Sequence, residues 1–408
     1  MEKKILWKDE PLLQHPLLLL FALVIGFIFM DPFHFGPLGG HDYRPVKHDV
    51  APYKQVMANW PKDNRSRLGS GKLEFVNEVY GPESLEFDLL GRGPYTGMAD
   101  GRVVRWMGDS LGWETFATVT PTWSEKLCAN GIQSTKGKQS KHEHHCGRPL
   151  GLRFDRNNGD LYIADAYFGL LVVGPEGGLA TPLATHVDGK HILFANDLDI
   201  HKNGSIFFTD TSKRYNRVNH FFSLLEGEAT GRLLRYDPTT ETTHVVLDGL
   251  AFPNGVQISK DQSFLLFTET PIAGMFEVSP FLVCTFPLIH LYFRIYQPLK
   301  LKLKHGERGE FWVAIDCCRT PMQEVLAHHP WIKSFYFRLP LKMSFLARMT
   351  GMEMYTVISL FNDKGEILEV LEDQKGEVMK LVSEVKEVNG KLWIGTVAHN
   401  HIATLPYP

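Results

Sequence analysis

Three oxygen-bearing side chains stand just ahead of short β-rich runs. They are Glu83 in Gly81-Pro82-Glu83-Ser84, Asn196 in Ala195-Asn196-Asp197-Leu198, and Asn254 in Pro253-Asn254-Gly255-Val256. A carboxylate with two amide carbonyls is a set of hard oxygen donors, the kind that holds Ca²⁺. Singly, each also reads as a turn cap, as Asn before Gly often is. His142-Glu143-His144-His145-Cys146 has zinc-ligand residue types. Adjacent ligands cannot all turn to one ion, however, so this stretch reads as a solvated loop. The chain has no G-x-S-x-G elbow, no P-loop and no G-x-G-x-x-G. Serine-hydrolase, nucleotide and dinucleotide chemistries are disfavoured accordingly.

The elements that would position the three oxygen donors recur. Five segments pair a turn with a short β-rich run: Asn158 to Asp165, Asn203 to Asp210, Asp261 to Glu269, Arg308 to Asp316 and Asn389 to Thr396. The first four are spaced 45, 58 and 47 residues apart, counted from positions 159, 204, 262 and 309. Another short strand precedes each of the first three, at Gly151–Asp155, Asp197–Ile200 and Gly255–Ser259, and Gly231–Asp237 adds a third strand after the second. Strand-turn-strand units at such intervals predict an all-β fold, a β-propeller. From Gly81 to Pro408, six blades give about 55 residues each; counting alone also admits five or seven. The first strand of each blade lines the central channel, so Glu83, Asn196 and Asn254 are predicted to converge on one axis. No long amphipathic helices alternate with the strands, which argues against a Rossmann or barrel fold.

Residues Pro16 to Met30 are uncharged and apolar, with Lys3, Lys4 and Lys8 upstream. Counted from Leu12 the run is 19 residues, enough to cross a bilayer core of ~30 Å at about 1.5 Å per residue. Residues 1–31 are therefore expected to form a signal anchor, a cleaved signal peptide being the alternative and a buried core helix a third. Residues 32–75 would follow as a lumenal linker and 76–408 as the six-bladed propeller. Asn64-Arg65-Ser66 and Asn203-Gly204-Ser205 are N-glycosylation sequons. Cys128 and Cys146 bracket a polar loop, and a disulfide there suits an oxidising lumen. Adjacent Cys317 and Cys318 read as small buried hydrophobes. Among 408 residues, 44% are apolar and 22% charged, which excludes a disordered chain, a coiled coil and a collagen-like rod. A net charge of −3 without a basic block argues against a nucleic-acid partner.

The segments Val79-Tyr80-Gly81-Pro82-Glu83-Ser84, His145-Cys146-Gly147-Arg148-Pro149-Leu150-Gly151-Leu152, Phe311 to Pro321 and Gly395-Thr396-Val397-Ala398-His399 carry a family likeness. In them the chain resembles the strictosidine synthase-like proteins of plants and, more distantly, adipocyte plasma membrane-associated protein. The likeness covers about Val76 to Asp210, continues to Glu269, and resumes from Gly309 to Pro408. It implies a six-bladed propeller of the superfamily that holds paraoxonases and gluconolactonases. These relatives hold Ca²⁺ on the channel axis with one Glu, two Asn and one Asp. Glu83, Asn196 and Asn254 match the first three, Cys128 and Cys146 match a family disulfide, and His399 matches a Thr-Val-x-His stretch that would supply a catalytic base.

Two departures qualify that likeness. Where strictosidine synthase carries its catalytic glutamate, this chain has Asp316-Cys317-Cys318, so a Pictet–Spengler condensation is not expected. Where the family carries the fourth ligand in Phe-Pro-Asp-Asn-Val, residues 271–308 contain no Asp or Asn at all. A retained intron or local frame change would produce such a stretch, with weakened Ca²⁺ binding as its consequence. The expected function is a monomeric, Ca²⁺-dependent hydrolase of ester, lactone or phosphoester bonds in a small molecule, held at the lumenal side of the endoplasmic reticulum or vacuole. A non-enzymatic propeller that binds a ligand or partner, and a defective isoform, are the alternatives.

Overall fold

In the computed structural model of the chain, residues 16–50, 52–130, 132, 141–270, 274–278, 303–306, 309–316, 320–350 and 356–407 are described. These residues form two compact units. One comprises Val50–Arg319 with Glu353–Pro408, the other Met1–Asp49 with Thr320–Met352.

The first unit is the propeller. Among the described residues it contains six sheets of three to five strands, antiparallel except where a short strand at Gly178–Leu179 joins the first blade in parallel. The first strands of the blades are Leu85–Glu86, Pro149–Phe154, Ala195–Ile200, Pro253–Ile258, Leu303–His305 and Glu384–Val388. Each packs beside the first strand of the next blade, and the sixth returns to the first, which closes a ring. Closure also joins the start of the propeller to its end: Lys72–Glu74 pairs with Ile402–Pro406 in the last blade, Lys72 opposite Thr404 and Glu74 opposite Ile402. The linker expected over 32–75 is therefore shorter than its sequence suggested. Its final strand belongs to the propeller, and Asp63 accepts the backbone N–H groups of Arg67 at 2.7 Å and Glu372 at 3.2 Å. Lys-Leu-Glu is too short and polar to announce a strand, and only a sheet missing its outer member makes it one.

The core lies between blades. Tyr95, Val103 and Phe116 of the first blade pack on Leu152, Ile163 and Leu171 of the second. Trp312, Ile358 and Leu371 of the fifth pack on Val385, Leu392 and Ile394 of the sixth. Because both faces of a blade are covered, the strands Leu161–Asp165, Ile206–Asp210 and Leu265–Glu269 read as nearly continuous apolar runs rather than alternating ones.

The second unit is helical. Pro16–Met30 forms a helix with no buried residue. Between the second and third strands of the fifth blade, the chain supplies three more helices, Pro321–His328, Pro330–Arg338 and Met343–Met349. The sequence pattern did not single these out. Among the described residues, no helix is long and apolar enough to cross a membrane. Cys317 and Cys318 lie outside the described residues, as do Phe281–Tyr296 and most of the 271–308 segment.

Cys128 and Cys146 form a disulfide across 18 residues. A loop of that length constrains the unfolded chain by about 3 kcal/mol. Replacing both cysteines by serine is expected to lower the free energy of unfolding by roughly that amount. Urea melts of the two proteins check this; superimposable curves would contradict it.

Candidate metal and hydrolytic site in the channel

Glu83, Asn196 and Asn254 line one cavity, together with Leu150, Phe194, Arg217, His220, Phe252, Ser383 and Val397. All three predicted oxygen donors are buried there. The repeat explains how they arrive. In the third blade, Thr209-Asp210-Thr211 ends the second strand; in the fourth, Thr268-Glu269-Thr270 does the same. Thr209 Oγ1 accepts the N–H of Asp197 at 3.2 Å, and Thr268 Oγ1 accepts that of Gly255 at 3.1 Å. These hydroxyls occupy a break in pairing, since the register shifts between Ala195 and Leu198 and between Pro253 and Val256. Such a bulge re-aims the side chain it carries, here Asn196 and Asn254. The acidic residue then fixes the backbone ahead of the first strand: Asp210 Oδ1 accepts from Phe194 N–H at 3.0 Å, and Glu269 Oε1 accepts from Ala251 N–H. Asp165 does the same in the second blade, accepting from Arg148 N–H at 2.7 Å.

The last threonine orients the amide. Thr211 donates its hydroxyl proton to Pro253 O at 2.9 Å and accepts Asn196 Nδ2 at 3.0 Å. Asn254 Nδ2 reaches Thr270 Oγ1 at 3.5 Å. With both NH₂ groups turned onto hydroxyls, Asn196 Oδ1 and Asn254 Oδ1 are buried without a hydrogen-bond partner. Two orphaned amide oxygens and a carboxylate in one cavity are hard donors of the type that Ca²⁺ takes, so these residues fit it in kind, though they supply only part of the six to eight oxygens it usually binds. The cavity measures about 40 Å³, room for an ion and one or two waters.

Behind Glu83, Arg148 is fully buried. Its Nη2 donates to Gly81 O at 2.8 Å. Gly81 has φ +67°, and a Cβ there would sit 2.5 Å from that nitrogen, so only glycine leaves the guanidinium room. Burial lowers the Arg148 pKa, as does the charge of Arg217, while Glu143, Glu83 and Asp100 oppose the shift. Burial pushes the Asp165 carboxyl up to about 6, against three backbone N–H donors.

Arg217 and His220 were not identified from the sequence. They come from the connection between the second and third strands of the third blade, a 3₁₀ turn over Arg217–Asn219 running into the helix His220–Glu226. Two buried acids hold that connection: Glu228 accepts from Ser212 at 2.5 Å and Ser223 at 2.8 Å, and Glu226 accepts from Arg214 at 2.7 Å. His220 Nδ1 lies 2.9 Å from Arg217 O. Arg217 Nη1 lies 3.5 Å from the same nitrogen, but the carbonyl contact is the shorter, and a carbonyl only accepts, so Nδ1 is taken as the proton-bearing nitrogen. His399 is not among the cavity's lining residues. It stacks on His401 at 5.3 Å, and burial, then the His399 charge, drives the His401 pKa down to about 4. Asn64 and Asn203 are both exposed, and Asn203 Oδ1 accepts Ser205 N–H at 3.0 Å in a tight turn. Among the described residues, no group of three His, Cys, Asp or Glu side chains could hold a metal. A site with one carboxylate and two amides falls outside that pattern. Of Asp316-Cys317-Cys318, where the family likeness places a catalytic glutamate, Asp316 ends a strand and the two cysteines are outside the described residues.

The strictosidine synthase family profile matches residues 196–277, the two blades that carry the paired asparagines. Protein STRICTOSIDINE SYNTHASE-LIKE 13 of Arabidopsis thaliana is 64% identical over 413 residues, covering 98% of this chain and 96% of that protein. The chain belongs to the strictosidine synthase-like family. Adipocyte plasma membrane-associated protein of Homo sapiens is 33% identical over 339 residues, covering 81% of this chain and 76% of that protein. Among solved structures, a gluconolactonase from Xanthomonas campestris superposes with a TM-score of 0.52 at 14% identity, covering 90% of this chain and 97% of that one. Regucalcin from Agrobacterium tumefaciens, a calcium-binding protein, superposes with a TM-score of 0.50 at 11% identity, covering 82% and 92%. The two structures share the fold with this strictosidine synthase-like chain.

The two perturbed groups act oppositely on stability. His401, with a folded pKa of about 4 against 6.5, stays neutral while the unfolded chain gains a proton, so its share of stability is lost as pH falls from 6.5 to 4. Asp165, at about 6 against 3.8, takes its proton earlier in the folded chain and adds stability over nearly the same fall. Replacing His401 by Gln removes the first effect alone. The melting temperature at pH 4.5, relative to that at pH 7.5, is expected to be higher in the variant than in the parent. Equal differences would refute the burial of His401.

Proposed function

We propose that this strictosidine synthase-like propeller is a Ca²⁺-dependent hydrolase of ester, lactone or phosphoester bonds, anchored by its N-terminal segment at the lumenal side of the endomembrane system. The observation that carries the reading is the pair of orphaned amide oxygens, Asn196 Oδ1 and Asn254 Oδ1, in one cavity with the Glu83 carboxylate. The Cys128–Cys146 disulfide and the exposed sequon residues Asn64 and Asn203 support a lumenal location. The calcium-binding character of regucalcin and the lactonase activity named for the Xanthomonas protein are consistent with the chemistry.

Glu83, Asn196 and Asn254 would hold the ion, which when bound supplies Lewis-acid stabilisation to a substrate carbonyl or phosphoryl oxygen. His220 takes the role of base that the Thr-Val-Ala-His stretch suggested for His399. Its Nδ1 proton is fixed on the Arg217 carbonyl, so Nε2 accepts a proton from water. The Arg217 guanidinium, itself in the cavity wall, offers N–H donors to an anionic oxygen. Leu150, Phe194, Phe252 and Val397 keep bulk water out and raise the value of each charge. At about 40 Å³ the cavity admits the reacting group and leaves the body of the substrate at the mouth. That size also favours the second reading, a propeller that binds a ligand or partner without turnover, since small-molecule pockets run from ~300 Å³.

Arylester and lactone turnover measured with and without EGTA tests the proposal. His220→Gln is expected to lower kcat by roughly 10²-fold or more, the usual worth of a positioned base, with His399→Gln little changed. Glu83→Gln is expected to abolish the Ca²⁺-induced rise in melting temperature that linkage requires of a ligand bound only by the folded state. Turnover indifferent to chelation would overturn the metal role. A Ca²⁺-induced rise without turnover of any of these substrates would favour the binding reading.

A further inference from the structure

The helices inserted at 320–350 have two apolar faces. One is used: Leu326, Tyr336, Phe337 and Leu346 are buried, and Tyr336 donates its hydroxyl to Leu346 O at 2.6 Å. The other is exposed. Met322 and Val325 lie three apart in the first helix, and Phe345 and Met349 lie four apart in the third, each pair on one helical face. Trp331, at the start of the middle helix, is 66% exposed. Soluble surfaces seldom expose aromatic and long aliphatic side chains in such a set without a partner for them.

Charge indicates which partner. From Thr320 to Thr350 there are four basic residues, Lys333, Arg338, Lys342 and Arg348, against one acidic residue, Glu324, although the chain as a whole is slightly acidic. Lys342 and Arg348 are exposed and flank Phe345. The same compact unit contains the helix Pro16–Met30, none of whose residues is buried. The middle inserted helix packs against it, with the Arg338 guanidinium 5.5 Å above the Phe29 ring. Short helices with Trp and Phe on one side and Lys and Arg beside them are built to lie at the boundary between headgroups and acyl chains.

We propose that residues 320–350 form an interfacial membrane-binding element for a bilayer containing anionic phospholipid. Trp331 and Phe345 enter the acyl boundary, and Lys342 and Arg348 meet the phosphates. The element would work beside the N-terminal helix, giving the chain a second, reversible contact, as stable anchoring generally takes two signals. It is independent of the metal reading.

Tryptophan quenching on the full-length chain tests this. The chain has eight tryptophans, so the emission of Trp331 is obtained as the difference between the parent and Trp331→Phe. In vesicles of phosphatidylcholine and phosphatidylserine with brominated acyl chains, that difference emission is expected to be lost; in unbrominated vesicles it is expected to persist and shift to the blue. Lys342→Glu/Arg348→Glu keeps Trp331 and the N-terminal helix, and it is expected to restore the difference emission in brominated vesicles while melting like the parent. Vesicle binding with no Trp331-dependent quenching would overturn the proposal and leave attachment to the N-terminal helix alone. Self-association abolished by Phe345→Glu, again without quenching, would overturn it in favour of a second copy of the chain as the occupant.

Discussion

Lys72 opposite Thr404, Leu73 opposite Ala403 and Glu74 opposite Ile402 are three pairings on which the channel depends. They bind the start of the propeller to its end, and a ring of six sheets has no stable shape until its ends meet. The cavity draws on the whole ring. Glu83 precedes the first blade, Asn196 and Asn254 stand in the third and fourth, and Ser383 and Val397 belong to the sixth. The first and sixth blades also meet directly beside Glu83, with Thr396 N–H donating to Pro82 O at 2.6 Å and Leu85 N–H to Glu384 Oε1 at 3.0 Å. Lys72–Glu74 completes the sheet of the sixth blade, although these residues are largely exposed and are not among the cavity's lining residues.

Within the ring, the third and fourth blades solve one problem twice. Each must turn an asparagine out of a strand and into a channel without leaving its backbone unpaired. A threonine fills the bulge, a carboxylate holds the incoming chain, and a second threonine sets the amide. The second blade keeps only the carboxylate, Asp165, and its channel residue is Leu150. Ala166 stands where Thr211 and Thr270 stand in the other two. The repeat is thus a common scaffold on which two blades carry ligands and a third carries apolar wall.

This explains what was legible in the sequence. A turn followed by an apolar run recurs because every blade needs it, so the strands, the ring and the convergence of Glu83, Asn196 and Asn254 could all be read from spacing. Thr211 and Thr270 were also readable, directly after the acidic residue of each repeat, though their role in orienting an amide shows only in the hydrogen bonds. Arg217 and His220 were not. They sit in a connection that has no counterpart at the same length in the neighbouring blades, and periodicity says nothing about where such a loop returns. His399 illustrates the converse: a matching local stretch suggested it as a base, while its ring stacks on His401 and it is not among the residues that line this cavity. The helices at 320–350 were missed although they stretch the repeat, since the turns at Gly309 and Gly390 stand 81 residues apart against 45 to 58 for the others; the strand runs on either side drew the reading.

Charge balance constrains what the channel can hold. Among the described lining residues Glu83 is a carboxylate and Arg217 a guanidinium, so their charges are of opposite sign. Arg148, one layer back, is offset by Glu143 and Asp100 as well as Glu83. A dication entering this cavity would gain two amide dipoles and one carboxylate, and it would also have to tolerate the Arg217 guanidinium. In a medium of low effective dielectric, that leaves an excess of positive charge which water solvates only at the mouth. An anionic or strongly polarised oxygen on the substrate would remove the excess, lying between the ion and Arg217. On the proposed function, then, cation and substrate oxygen favour one another's binding, and because the coupling is thermodynamic it acts equally in both directions. A neutral thioether or hydrocarbon at the same place would gain nothing from either charge. On the proposed function, the charges of the cavity would favour an anionic or polarised oxygen, such as esters, lactones and phosphoesters carry, over an apolar group.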